Sequence, residues 1–265
     1  MADTLRVERS GFVVEVAIDR PSHRNALDKG LFDALRREGL ALHDATPRVV
    51  ILTGSAEHFC AGMDLSPSNH LLAEIQPHIV AGDTYRLSEI IVSLKSAFDV
   101  WARLPCPVIA AIEGACAGGG LELALAADLR IAGSGAFFSL PETRFGMVPD
   151  VGGTVRLSKL VGTARAAQLI LTGARIEVAQ AELWGLVNET VPAGTALARA
   201  RELAGEILRC APSATRQALI ALRGANRLDD EARFEIETQA GARALVSREV
   251  LEGLTSFAEK REPKW

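Results

Sequence analysis

The sequence predicts an α/β fold with a helical C-terminal region. Two short runs, RVVILTG (48–54) and PVIAAIEG (107–114), are almost wholly apolar, as strands buried on both faces of a sheet are. Between them, Leu87, Ile90, Ile91, Leu94, Phe98 and Trp101 recur at helical spacing within the stretch Tyr85 to Leu104. After about Val191 the pattern is helical almost throughout, with apolar positions such as Leu197, Leu203 and Ile207. Strands alternating with helices indicate the α/β class, and the late change of character sets a boundary near Pro192–Gly194. A core is thus expected over residues 1–194 and a helical region over 195–265.

In chain order, LRVER and FVVEVAID read as two strands joined by a turn at Ser10–Gly11. Leu27, Leu31, Leu35 and Leu42 trace one helical face in a segment that ends before Pro47. Residues 66–82 are irregular and polar, and a mobile loop is expected there. The strand PVIAAIEG leads straight into GACAGGGLELALAADLR, where three consecutive glycines open an alanine- and leucine-rich helix. FFSLPETRFGMVPDVGGT (137–154) then carries a strand-like start, a turn and the entry to the helix VGGTVRLSKL.

A chain of 265 residues can bury a full core. Its net charge of −4 and pI near 5.8 speak against nucleic acid or a membrane surface as a partner bound by bulk charge. Cys60, Cys106, Cys116 and Cys210 form no CxxC pair, and free thiols in a reducing cytosol are expected. The opening MADTLRVERS lacks the apolar core of a signal peptide, and no uncharged apolar run approaches the roughly 18 residues of a membrane span. These features predict a soluble, cytoplasmic protein. His23, His43, His58, His70 and His78 show no ligand spacing, so no metal site is expected. Trp184 and Trp265 are expected to pack.

Glycine in a helix costs about 1 kcal/mol relative to alanine, so three together suggest that bare backbone is needed. A strand, glycines and a helix start aim N–H groups at one spot. Phosphate loops are excluded because G-x-x-x-x-G-K-[ST] is missing, and no G-x-G-x-x-G run supports a dinucleotide site. An oxyanion hole remains, and it needs a second donor. HFCAGMDL (58–65) follows the other buried strand and offers small residues, with Asp64 placed to pin the turn by an Asx-type hydrogen bond. Each motif alone also fits close packing or a tight turn; their co-occurrence, each just after a buried strand, favours function. Glu122 in the first turn of the helix and Glu142 after Pro141 could act as base and acid, since like charges sharing a site push their pKa values apart. Asp150 reads either as a third acid or as the cap of the following helix.

RNAL (24–27), FCAGMDL (59–65), PVIAAIEGACAGGGLELALAADLRIA (107–132), FFSLPETRFGMVPDVGGT and EGLTSFAEKREP (252–263) together resemble the crotonase family of enoyl-CoA hydratases and isomerases. The resemblance runs through almost the whole chain. It implies a spiral of β-β-α units, a C-terminal helical trimerisation region, and a homotrimer or a hexamer built as a dimer of trimers. It implies acyl-CoA substrates such as those of fatty-acid β-oxidation, with coenzyme A carried by the substrate and no separate cofactor. Carried over by position, it implies Ala61 and Gly119 as oxyanion donors, and Glu122 and Glu142 as the two catalytic glutamates. It further implies that Arg24, Ala26, Ala61, Gly62, Met63, Asp64 and Gly118 line the CoA cleft. Addition of water to a 2-enoyl-CoA is the reaction expected. The chain departs from the hydratase pattern at Asp150, which is similar to the dienoyl-CoA isomerases, as are Phe137–Phe138 and the long helix before the second buried strand. That branch carries aspartate where this chain has Glu122, so isomerisation of a 3,5-dienoyl-CoA through Glu142 and Asp150 is the alternative. Two other classes are disfavoured: an RNA-binding homologue by the acidic pI, and a nicotinamide oxidoreductase by the missing fingerprint.

Overall fold

The computed structural model describes residues 4–55 and 57–225, with positions 238, 239, 249, 252, 255, 256 and 259–265. Strands β1 (Leu5–Ser10) and β2 (Val13–Ile18) form the expected hairpin, turned by Gly11 at φ +58°. Helix α1 (Lys29–Ala45) is N-capped by Asp28, whose Oδ1 accepts from Leu31 N at 2.8 Å, and it buries Leu31, Phe32, Leu35 and Leu42. Leu27 precedes this helix and instead bridges to Met63 in a parallel β-bridge. β3 (Val49–Gly54) follows, then α2 (His70–Ala81) and α3 (Thr84–Ala102).

Helix α2 corrects the expectation of a loop over 66–82. Asn69 caps it by accepting from Leu71 N at 3.1 Å, while Leu71 is buried and Ile75 packs on the core. Pro77 lies inside the helix, where it forfeits one backbone bond and interrupts the sequence pattern.

β4 (Val108–Ile112) and β5 (Ala115–Ala117) lead to α4 (Gly119–Ala124), and β6 (Leu129–Gly133) to β7 (Phe137–Ser139). A short 3₁₀ turn (Glu142–Phe145) precedes α5 (Gly153–Val161) and α6 (Thr163–Thr172). β8 (Arg175–Glu177), α7 (Val178–Leu183), β9 (Glu189–Val191), α8 (Ala196–Leu208) and α9 (Pro212–Ala225) complete the described elements. The main sheet has the order β1-β2-β3-β4-β6-β9, parallel from β2 onward, and a second sheet pairs β5-β7-β8. Successive turns of the chain therefore add β4 and β6 to one sheet and β5 and β7 to the other, the expected spiral of β-β-α units.

The strands alternate between two cores. Val50, Leu52, Val108, Ala110 and Ile112 face the large cluster with α1 and α3, while Val49, Ile51, Ile109, Ala111 and Ile131 face α8. Burial on both faces is why these strands read as continuous apolar runs. Ala196, Ala200 and Ala204, spaced four apart, let α8 lie close on the sheet. The helical region expected from residue 195 thus begins with a wall of the core, and much of the remaining tail lies outside the described residues. Among the described residues no helix is long and apolar enough to cross a membrane.

Candidate active site

The loop 60–64 runs between two neighbours and touches both. On one side, Cys60 N donates to Ala115 O at 2.9 Å and Ala117 N to Cys60 O at 3.0 Å, so the segment pairs with β5. On the other, Leu27 N donates to Gly62 O at 2.8 Å and Asp64 N to Leu27 O at 2.9 Å. Gly62 stands at φ +94° and Gly118 at φ +51°, both in the left-handed region that favours glycine. A Cβ on Gly62 would lie 2.8 Å from Ala117 O and 3.5 Å from Gly118 Cα, so the two glycine turns are in contact.

The residue after each of these glycines presents its N–H. Gly119 is the first residue of α4, where an N–H has no intrahelical acceptor, and Gly118 N is already bonded to Ser139 O at 2.9 Å. In the parallel bridge the bonds to Leu27 fall on Gly62 O and Asp64 N, so Met63 N–H faces away from that strand. Among the described residues neither Met63 N nor Gly119 N has a backbone acceptor. Ala61 N, by contrast, donates to Arg24 O at 3.1 Å. The expectation that Ala61 is the second donor is corrected on this ground: its N–H is occupied, and the open N–H in that loop belongs to Met63.

The other cleft residues divide by exposure. Arg24 is exposed at φ +50°, while Ala26 is buried and its carbonyl accepts from Arg20 Nη1. Asp64 is buried; its Oδ2 pairs with Arg20 Nη2 at 3.1 Å, and Oδ1 accepts from Ser66 N at 3.0 Å as an Asx turn. Both of its oxygens hold the loop. Asn25, fully buried, fixes the same corner by donating to Ser55 O and His58 O at 3.0 and 2.6 Å.

Glu122 is buried in α4, and its Oε1 accepts from Val151 N at 3.0 Å and Gly153 N at 2.8 Å. Burial drives its pKa up to about 8, opposed by the Gly153 hydrogen bond and helped by the charges of Glu142 and Asp150. Glu142 sits over Gly118, where a Cβ would stand 3.0 Å from its Oε1. Its Oε2 is buried without a hydrogen-bond partner, and burial lifts its pKa to about 7. The 3₁₀ turn carrying it is anchored by Thr143 Oγ1 to Ile170 O at 2.8 Å and Arg144 Nε to Thr172 O at 2.9 Å. Asp150 is exposed, with a pKa raised by partial desolvation. It does not cap α5: the N-cap is Gly152, with no side-chain hydrogen bond. Both glutamates thus hold a proton more tightly than a free carboxyl group does, and the charge of Glu142 adds to the upward shift of Glu122.

The family model for enoyl-CoA hydratase/isomerase matches residues 8–265. The chain belongs to the enoyl-CoA hydratase/isomerase family. It is 39% identical over 253 residues to "Probable enoyl-CoA hydratase 2, mitochondrial" of Arabidopsis thaliana, covering 95% of this chain and 80% of that protein. It is 37% identical over 272 residues to the carnitinyl-CoA dehydratase of Proteus mirabilis, covering 100% and 99% respectively. The crystal structure of an enoyl-CoA hydratase from Bacillus anthracis superimposes with a TM-score of 0.90 at 34% identity, covering 99% of each chain. The fold is therefore that of the crotonases, and this member of the family brings together Met63, Gly119, Glu122 and Glu142. Val151 and Gly153, whose N–H groups hold Glu122, do not stand out in the sequence, where VGGT reads only as the entry to a helix.

Proposed function

We infer that the protein is an enoyl-CoA hydratase, adding water across the double bond of a 2-enoyl-CoA thioester. The observation that carries this reading is buried Glu122 and half-buried Glu142, both with raised pKa values, beside two open backbone N–H groups. The thioester oxygen lies between Met63 N–H and Gly119 N–H, which stabilise the negative charge it gains in an enolate-like transition state. The ionised glutamate of the pair takes a proton from water as its oxygen bonds to the β-carbon. The protonated one delivers a proton to the α-carbon. No electrons are exchanged, so the reaction needs no redox carrier, and coenzyme A belongs to the substrate. Arg24 lies exposed beside the loop, placed for the polar end of that substrate. The protein assembles as a homotrimer or a dimer of trimers.

The dehydratase name of one relative fits the same machinery run in reverse. Diene isomerisation through Glu142 and Asp150 gains no support from the relatives named above. The test is to incubate the protein with crotonyl-CoA and, separately, with a 3,5-dienoyl-CoA. Hydration of crotonyl-CoA is expected; diene conjugation without hydration would contradict the reading.

A further inference from the structure

Outside the two glutamates, a polar cluster joined to the site centres on Asp99 of α3. Lys95, Arg103 and Arg156 all pair with its carboxylate, Arg103 at 3.7 Å. Arg156, on α5, and Asp99 are both largely buried, with side chains 17% and 18% exposed. Arg156 has a second partner: its Nη1 donates to Val151 O at 3.1 Å. Val151 N–H is one of the two donors on Glu122 Oε1, and Gly153 N–H is the other. One peptide segment therefore carries the guanidinium on one side and the carboxylate on the other.

The glycines of this turn record the same arrangement. Gly152 stands at φ +128°, and a Cβ there would collide with Arg156 Nη1. A Cβ on Gly153 would lie 2.9 Å from Glu122 Oε1 and 2.7 Å from Pro149 Cβ. A side chain at 152 would displace the guanidinium and one at 153 would meet both Pro149 and the carboxylate, so both charged groups approach the bare backbone.

We propose that Arg156, held by Asp99, is a positioning residue for Glu122: it fixes the 150–153 turn so that two N–H groups meet one carboxylate oxygen. This rests on the hydratase reading above only for its kinetic consequence. The groups facing Glu122 are Glu142 on the 3₁₀ turn and Asp150 on the turn itself, both acidic, so the N–H bonds are what oppose burial and repulsion. Arg156 touches no reacting atom. It acts by keeping those bonds formed, which favours the charged carboxylate.

The experiment titrates the ¹³Cδ-labelled glutamates by NMR, with the Glu122 signal assigned by its loss in Glu122→Gln. Arg156→Met removes the donor and keeps the stem. It should raise the Glu122 pKa by about 1 unit, as for a charged form losing hydrogen bonds. Arg156→Lys should recover part of the shift. With crotonyl-CoA, Arg156→Met should lower kcat about 10-fold or more, as for a misplaced acid–base group. KM should stay within about 2-fold, because a positioning loss falls on the transition state. If Arg156→Met does not fold, Asp99→Asn decides, because it frees the guanidinium while leaving the Val151 bond available; it should move the Glu122 titration in the same direction by a smaller amount. A folded Arg156→Met, or failing that a folded Asp99→Asn, with an unmoved Glu122 titration overturns the proposal. A wild type inert toward crotonyl-CoA would instead remove the hydratase reading and leave the titration result standing.

Discussion

Ala61 and Met63 stand two residues apart in one loop, yet they face opposite demands. Ala61 N–H is committed to Arg24 O at 3.1 Å, while Met63 N–H is left open by the bridge to Leu27. A structure with an acyl-CoA analogue should place Met63 N and Gly119 N each about 2.7–3.1 Å from the thioester oxygen. Finding Ala61 N on that oxygen, with its bond to Arg24 broken, would reverse the assignment. The sequence singles out this loop and Gly119 as candidate donors, because small residues after a buried strand are visible in it. Which N–H of the loop is free depends on a parallel bridge to residue 27, a pairing across 36 positions that local pattern does not contain. Asp150 reads in the sequence as either a third acid or a helix cap; the structure places it exposed beside the pair, capping nothing. Asp150→Asn should cost little stability, since no cap is lost, and should lower the pKa of both glutamates by removing a like charge. An upward movement in a carboxyl titration would contradict this.

Among the elements, α8 shows how far periodicity reaches and where it stops. Its helical character was plain, but not its place: Ala196, Ala200 and Ala204 fill the second core against Val49, Ile51 and Ile109. Alanine carries almost no amphipathic signal, so the contact face was hidden in a helix that reads as peripheral. Ala200→Leu should overpack this layer and destabilise the protein by about 1–3 kcal/mol in denaturant unfolding, although it lies on the other face of the sheet from Glu122. A variant of unchanged midpoint would mean that α8 is not seated on the sheet. Truncation after Val191 should expose the same layer and yield aggregate rather than a soluble core. The strands β3 and β4, by contrast, were read correctly because burial on both faces leaves an unbroken apolar run.

For the whole molecule, the two raised carboxyl pKa values tie stability to pH. Glu122 and Glu142 titrate near 8 and 7 when folded and near 4.5 when unfolded, so the native state holds more protons between those limits. Their contribution to stability is therefore full below about pH 4.5 and is lost as pH rises through 7 and 8. Glu122→Gln, which can still accept both N–H bonds, should flatten the fall of Tm between pH 5 and 8. A wild-type Tm that rises across that window with the variant unchanged in slope would contradict the coupling. Assembly belongs to the same scale, and sedimentation should show a trimer or a multiple of three.

The most direct test of the central claim, that Glu122 and Glu142 together add water to an enoyl thioester, is crotonyl-CoA turnover by Glu122→Gln and Glu142→Gln beside the wild type. Each substitution should lower kcat by about 10²-fold or more while the protein stays folded, as for lost acid–base groups. Wild-type hydration that survives either change within a few-fold would contradict the claim.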